Sequence, residues 1–477
     1  MKPLGMMKVK VGRLLAGILA ILAISCQQDL DFVQESEFEN ESVYNAEFIP
    51  GEYIIELQPT TINFRRGGSY EETQSFMREV SIDLLAEYRI GDENLRHVFG
   101  TAVDGFSVKL SERELEMMRR DPRVKNIHQD EVIAHNRGNG NGGGNGGTRG
   151  GPKNQEPSEP EPAPAPEEPA DEPSPSDPED PNNGTPEEPE SPGSDEPKNE
   201  DPKEEPKDES KEEEPYSGPS TQEIPWGIQR VGGFKKYAGN NVAFVLDTGI
   251  ELDHPDLNVN VQLGRKIVPD DISTTLSDLH SHGTHVAGII GAIDNHFGVV
   301  GVAAGVAVVP VKIMGDDGRG RVSWAIAGVD YVASVGKPGD VANLSIGASA
   351  NTTFDNAVIN ASNKGIWFVT SAGNNAADAN NYSPARANGP FIQTVSSMDS
   401  RDVMANSSNY GNPPIDWAAP GVGIRSTVLK GGYANKNGTS MAAPHVAGLR
   451  LLGNIRADGH IKNDKDNTPD PIAHRAD

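Results

Sequence analysis

Val242-Ala-Phe-Val-Leu-Asp-Thr-Gly249 is a run of five apolar residues that stops at a carboxylate and a turn glycine. A short apolar run closed in this way reads as a strand buried on both faces, the kind that fills a parallel sheet. Val306-Ala-Val-Val-Pro-Val311 has the same character, and helical patterns separate such runs from Thr221 to Asp477. Strands alternating with helices predict an α/β domain with a parallel sheet over 221–477.

Upstream of Thr221 the composition changes. Residues 136–220 form a linker, Asn/Gly-rich to residue 151 and then Pro/Glu-rich. Between 151 and 220 stand 24 acidic and 5 basic side chains and 19 of the chain's 36 prolines. Such a segment cannot bury enough apolar surface to offset chain entropy and is expected to be disordered. It also carries most of the formal net charge of −28. A polyanionic chain lacks the Lys/Arg surface that displaces counterions from phosphate, which argues against a nucleic-acid partner.

Residues 48–135 read as a small α+β domain. Glu52–Leu57 predicts a strand, and Phe76, Val80, Leu84 and Leu85 have helical spacing between Glu71 and Tyr88. Gly105–Leu110 alternates as a strand does. Ser111 with Glu114 three residues on predicts a capping box, with the helix running to Asp121-Pro122. Val124–Ile133 predicts a last strand.

The N-terminus is an address. Lys2, Lys8, Lys10 and Arg13 precede the apolar run Leu14–Ile24. Eleven residues span about 16 Å as helix, too short for a bilayer core of ~30 Å. Residues 1–25 therefore read as a signal peptide. Leu22-Ala-Ile-Ser-Cys26 resembles a bacterial lipobox, which makes Cys26 the expected lipidation site and 26–47 a polar tether. Cys26 is the sole cysteine, so no disulfide within the chain and no thiolate zinc site is available.

Three motifs carry candidate chemistry. Asp247-Thr-Gly249 ends the opening strand. Aspartic proteases share that tripeptide, but they need a second carboxylate loop, and no second Asp-Thr-Gly occurs. His282-Gly-Thr-His285-Val-Ala-Gly288 opens an apolar helix. Its histidine spacing differs from the zinc-binding His-Glu-x-x-His pattern. Asn437-Gly-Thr-Ser440-Met-Ala-Ala-Pro-His-Val-Ala-Gly448 puts a hydroxyl at the start of an Ala-rich helix, where free N–H groups favour negative charge. Alone, that serine reads as an N-cap. Asp, His and Ser together supply a nucleophile, its base and the carboxylate that orients the base.

In that order the three motifs resemble the subtilisin-like serine proteases over 221–477. The resemblance implies a serine endopeptidase working through an acyl-enzyme. Asp247 would orient His282, His282 would act as base and then acid, and Ser440 would attack. Phe368-Val-Thr-Ser-Ala-Gly-Asn374 is similar to the segment carrying the oxyanion-binding Asn374, with Ser371, Ala372 and Gly373 beside the substrate. Gly318, Arg319 and Gly320, and likewise Ser345, Ile346 and Gly347, resemble the two edge strands between which a peptide substrate adds as a third. A structural Ca²⁺ is implied at Gln222, Asp256, Ile293, Asn295, Phe297 and Val299, all oxygen donors and so suited to that ion.

Residues 48–135 resemble the inhibitor-type propeptide of the same family, notably Gly105–Leu110 and Asp121-Pro-Arg-Val-Lys-Asn-Ile-His-Gln-Asp130. A propeptide implies a self-processed precursor inhibited by its own N-terminal domain. The cut falls near 135 or near 220; the linker leaves the choice open. The expected location is the outer membrane or cell surface for the precursor, through the lipid, and the extracellular space after processing. The alternative reading is a catalytically silent surface binding or scaffold protein that keeps the fold. An esterase with the same triad lacks a Gly-x-Ser-x-Gly motif.

Overall fold

The computed structural model describes residues 46–59, 68–134 and 221–476. The signal peptide, Cys26, most of the tether and the linker lie outside them. The N-terminal unit runs β1 (Phe48–Leu57), α1 (Tyr70–Glu87), β2 (Leu95–Phe99), β3 (Gly105–Lys109), α2 (Glu112–Met118) and β4 (Val124–Ala134). Its antiparallel strands lie in the order β4-β1-β3-β2. Both helices begin with a reciprocal capping box, Ser69 with Glu72 and Ser111 with Glu114. The second is the one expected, although α2 stops at Met118 rather than at Asp121. Ile55, Leu57, Met77, Leu85, Phe106 and Met118 close the core between sheet and helices.

In the larger unit, β6 (Ala243–Asp247) sits inside a nine-stranded sheet. On one side follow β9 (Val308–Lys312) and β7 (Arg265–Lys266). On the other follow β11 (Val341–Leu344), β13 (Trp367–Ser371), β15 (Ile392–Met398), β16 (Ile415–Pro420), β20 (Pro471–Arg475) and β19 (Ile455–His460). All neighbouring pairs are parallel except β19–β20, which closes one edge as an antiparallel hairpin. The sheet is therefore parallel, as the alternation of strands and helices predicts. Short pairs flank it: β5 (Lys235–Lys236) with β8 (Ala303–Ala304), β12 (Ala348–Ser349) with β14 (Tyr382–Ser383), and β17 (Ile424–Val428) with β18 (Gly432–Lys436).

Alternation along β6 explains the layers. Ala243 and Val245 face a core shared with α4 (His282–Gly291) and α7 (Thr439–Leu452), through Val286, Ile290, Met441 and Val446. Phe244 and Leu246 face the opposite core, with α5 (Val322–Val335) and α6 (Thr352–Ser362), through Ala325, Val329, Phe354 and Val358. A short helix, α3 (Trp226–Arg230), packs near β16. A strand apolar on both faces is what a sheet covered by helices on both sides demands.

The two units join edge to edge. β10 (Arg319–Arg321) pairs antiparallel with β4, matching Arg319 to Ala134, Gly320 to Ile133 and Arg321 to Val132. The N-terminal sheet thus extends to five strands by borrowing one from the larger unit.

Candidate active site

From β6 the chain crosses to the edge strand β7 and returns to β9 on one side, while β11 lies on the other. Strand order reverses there, and ligands of open α/β sheets bind at the carboxyl ends of strands at such a point. Asp247 is the last residue of β6 and is fully buried. Its two carboxylate oxygens lie 2.8 and 2.9 Å from Nδ1 of His282, the first residue of α4. The Thr248 N–H also donates to Asp247, at 2.7 Å. With Nδ1–H on the carboxylate, Nε2 of His282 is the basic end. Gly283 lets α4 start against this loop, because a Cβ there would run into the Gly249 carbonyl.

The loop that delivers His282 is held by Asp278, which the sequence reading did not single out. It is buried and accepts from the N–H groups of His280 (2.8 Å), Ser281 (2.9 Å) and Thr284 (2.9 Å) and from the hydroxyls of Thr248 and Thr284. Its sequence signal is an Asp four residues before the helix-opening histidine. Lys436 was missed as well. It ends β18 and donates from Nζ to the Ser281 hydroxyl at 2.8 Å, beside His282. Burial, then Lys436, then His280 press the His282 pKa well below its usual value, while Asp278 pushes the other way.

Ser440 is the second residue of α7 and is 7% exposed. Gly438, at φ +127°, makes the turn into that helix. The Ser440 hydroxyl reaches the Ser345 carbonyl at 3.4 Å, and the Ser345 hydroxyl donates to the Ser440 carbonyl at 2.9 Å. Asn374 is tied down by its acceptor end, with Oδ1 taking the Thr439 N–H at 2.9 Å and the Thr439 hydroxyl at 3.1 Å. Nδ2 is thereby the end presented to a ligand. Gly373 donates from N to the Thr439 hydroxyl at 3.2 Å, so the segment after β13 is pinned to the start of α7.

Gly318 makes the turn before β10, at φ +77°, and Arg319 and Gly320 lie in the strand that pairs with β4. Ser345, Ile346 and Gly347 continue from the inner strand β11; the Ile346 carbonyl lies 3.5 Å from the Ser371 hydroxyl, and open space faces Gly347. Ala372 is buried against β15, its N–H on the Val395 carbonyl.

The six residues expected at calcium come together in a separate place. Gln222 Nε2 lies 2.8 Å from the Ile293 carbonyl and 3.3 Å from that of Val299. Asp256 lies 2.8 Å from Asn295 Nδ2, 3.0 Å from the Val299 N–H and 3.1 Å from the Tyr433 hydroxyl. Phe297 donates its N–H to Asn295 Oδ1. Burial pushes the Asp256 carboxyl up to about 6, against those hydrogen bonds. As the side chains lie, the Gln222 and Asn295 amides present their nitrogens to the loop carbonyls and to Asp256; turned over, they would add two oxygens to the buried carboxylate and those carbonyls, a donor set that suits Ca²⁺.

Comparison with known proteins follows this geometry. Residues 240–452 match the subtilase family, and residues 52–134 match the peptidase inhibitor I9 family. Subtilisin BL of Lederbergia lenta is 40% identical over 257 residues, covering 51% of this chain and 91% of its own. Alkaline serine exoprotease A of Vibrio alginolyticus is 40% identical over 238 residues, covering 48% and 42%. A solved cold-adapted subtilisin-like serine proteinase is 34% identical, covers 53% of this chain and 98% of its own, and superposes with a TM-score of 0.46. Sequence identity of this extent places the chain in the subtilase family of serine endopeptidases, with an I9-type inhibitor domain as its propeptide.

Proposed function

We propose that Asp247, His282 and Ser440 are the catalytic triad, that Asn374 completes the oxyanion site, and that the enzyme is made as a self-processed, exported precursor. The observation that carries this reading is His282 Nδ1 held on both oxygens of a buried Asp247, with Ser440 at the start of α7. His282 Nε2 takes the proton of the Ser440 hydroxyl as oxygen attacks the substrate carbonyl. Asn374 Nδ2 and the Ser440 N–H receive the oxyanion. Nε2 then passes its proton to the departing amine, and water repeats the sequence to free the acyl group. Loss of one such side-chain donor costs roughly 2.7–4 kcal/mol of barrier, a figure drawn from a subtilisin.

Peptide substrate is read as a strand added to β10, with Gly318–Gly320 on one side and Ser345–Gly347 and Ser371–Gly373 toward the scissile bond. β4 already pairs with β10 through Ala134, which favours the cut near 135 over one near 220. The structural Ca²⁺ belongs to Gln222, Asp256, Ile293, Asn295, Phe297 and Val299. Bound there, it would neutralise Asp256 and fasten the segment at Gln222 to the loop 293–299. The lipid belongs on Cys26, with the precursor at the outer membrane or cell surface. The domain limits are those of the sequence reading: signal 1–25, tether 26–47, propeptide 48–135, linker 136–220 and peptidase 221–477.

The test is a tagged fluorophosphonate. It should label the mature enzyme at Ser440, and Ser440→Ala should take up no label and remain uncut in a protease-free host. Labelling elsewhere, or normal processing of Ser440→Ala, would remove the assignment.

A further inference from the structure

At the edge of the five-stranded sheet far from the β4–β10 junction, the two units meet around a second feature, which the proposed catalysis does not use. A cleft of about 310 Å³ opens where α1 and β2 of the propeptide face β7 and α5 of the peptidase. Arg78 and Arg96 line it from the propeptide, Arg265 and Lys266 from the peptidase, and no Asp or Glu among the described residues does. Three of the four already have partners. Arg265 lies over the rings of Tyr70 and Tyr331, at 5.0 and 5.6 Å, with Glu71 at 3.9 Å outside the cleft. Arg96 donates to the Glu93 carbonyl at 2.8 Å and reaches Glu52 at 3.3 Å, and Lys266 donates to the Val268 carbonyl at 2.8 Å and to the highly exposed Asp270 at 2.5 Å. Arg78 is exposed and has no ion-pair partner among the described residues. The ring of His97, in the wall, senses the field. Burial lowers its pKa to about 4, the Ile267 carbonyl resists, and Arg321, Arg78 and Arg96 add to the lowering.

The chain carries one segment of the opposite kind, residues 152–219, with 24 acidic and 5 basic side chains. It is attached at both ends, to β4 and to the start of the peptidase. The 86 residues between Ala134 and Thr221 have a contour of roughly 280–310 Å. A folded body of this size has a radius of gyration of about 20 Å, so every part of its surface is within reach. Tethering holds the segment at an effective concentration on the order of millimolar. Individual exposed ion pairs are weak, and several must act together.

We propose that the chain's own acidic segment, 152–219, docks through its carboxylates into this basic cleft and so clamps the propeptide to the peptidase. Seven of the described lining residues belong to the propeptide and four to the peptidase, so a polyanion lying in the cleft touches both units. The clamp is a property of the precursor, and salt weakens it: from about 20 mM to about 0.5 M the screening length falls from about 20 Å to about 4 Å.

The experiment uses the full-length Ser440→Ala chain, whose intactness is checked by mass, at high dilution and low salt. A carbodiimide joins carboxylates to amines in contact, and Lys266 is the only amine lining the cleft among the described residues. Peptide mapping should find Lys266 joined to Asp or Glu of 152–219. That coupling should drop about tenfold at 0.5 M NaCl, where screening is nearly complete. It should drop similarly in Arg78→Gln/Arg96→Gln, whose exposed side chains leave the core intact. A chain with the acidic residues of 152–219 changed to Asn and Gln should lose it while folding as before. Coupling of Lys266 to Asp270 alone would overturn the proposal. So would linker coupling spread evenly over lysines away from the cleft, such as Lys235 and Lys337. Displacement of the linker by inorganic phosphate, but not by chloride of equal ionic strength, would make the cleft a small-oxyanion site and overturn it too.

Discussion

His282 stands between a carboxylate that holds its proton-bearing nitrogen and an ammonium that opposes a second proton. Asp247 lies against Nδ1, and Lys436 reaches Ser281, the residue just before the histidine. Lys436 is itself largely buried, which lowers its pKa, while Asp278 and Asp247 support its charge. The general-base role proposed for His282 needs the neutral ring, and a lowered pKa keeps the ring neutral into mildly acidic solution. The acid limb of kcat/KM should therefore lie below pH ~6.5, the unperturbed histidine value. Removing the ammonium removes one cause of the lowering, so Lys436→Met should move the limb to higher pH. A pH–rate profile of both enzymes checks the sign; a limb unmoved or shifted to lower pH would show that Lys436 does not act on His282.

At the scale of elements, the propeptide grips two helices by their ends and one by its side. Asp130 receives the N–H and hydroxyl of Ser323 in the first turn of α5, at 3.0 and 2.6 Å. Glu131 receives the Ser349 N–H at 3.1 Å, two residues before the Asn351 cap of α6. Carboxylates suit both places, because helix N-termini carry partial positive charge. Asp330, on the side of α5, accepts the N–H groups of Gly100, Thr101 and Ala102 at 3.2, 2.7 and 2.7 Å. Hydrogen bonds to a charged group contribute about 1.5–3 kcal/mol each. Asp330→Ala leaves these three N–H groups and the Gln74 amide, which donates to the same carboxylate at 3.1 Å, without their acceptor, and should weaken inhibition by the added propeptide by at least about a hundredfold. Inhibition constants measured on mature wild type and variant test this, and equal constants would assign the grip to the β4–β10 ladder. The same elements mark what a sequence shows. Asp247, His282 and Ser440 were legible because each lies in a local motif at the end of an apolar element. Asp330 was not, since within Gly-Val-Asp-Tyr it looks like one polar position on a helix, and the backbone donors it accepts from belong to the propeptide, more than two hundred residues away in sequence. Lys436 and Asp278 act through neighbours distant in sequence or through a folded loop. Strand β2, Leu95-Arg-His-Val-Phe99, was missed because Arg-His interrupts its apolar pattern, and the β19–β20 hairpin because Arg, Asp, Gly and His break up β19.

At the scale of the molecule, two proposed attachments bear on the fate of the enzyme. An ion bound at Asp256 only in the folded state would raise the stability of the mature form by mass action. Chelation should lower the melting temperature of the wild type and leave Asp256→Asn unaffected; identical melting of the wild type with chelator and with calcium would remove the ion from the site. The other attachment is the lipid. Cys26 lies on the propeptide side of a cut near 135, whereas the triad lies beyond Thr221. A single acyl chain holds a protein to a membrane only marginally, and two or more hold it stably. With the proposed lipid on Cys26, the covalent chain would keep the peptidase at the membrane before the cut. After it, only noncovalent contacts would, among them the β4–β10 ladder, Asp130, Glu131 and Asp330. The precursor should therefore fractionate with membranes and the mature enzyme with the medium. Cys26→Ser should lose the membrane-bound precursor without altering the intrinsic activity of the mature form. Because the grip is then the last tie, Asp330→Ala should hasten release after cutting and leave attachment of the uncut chain unchanged. Mature enzyme that stays on membranes after its propeptide has been degraded would mean a second anchor within residues 136–477, and this route to the extracellular space would be wrong.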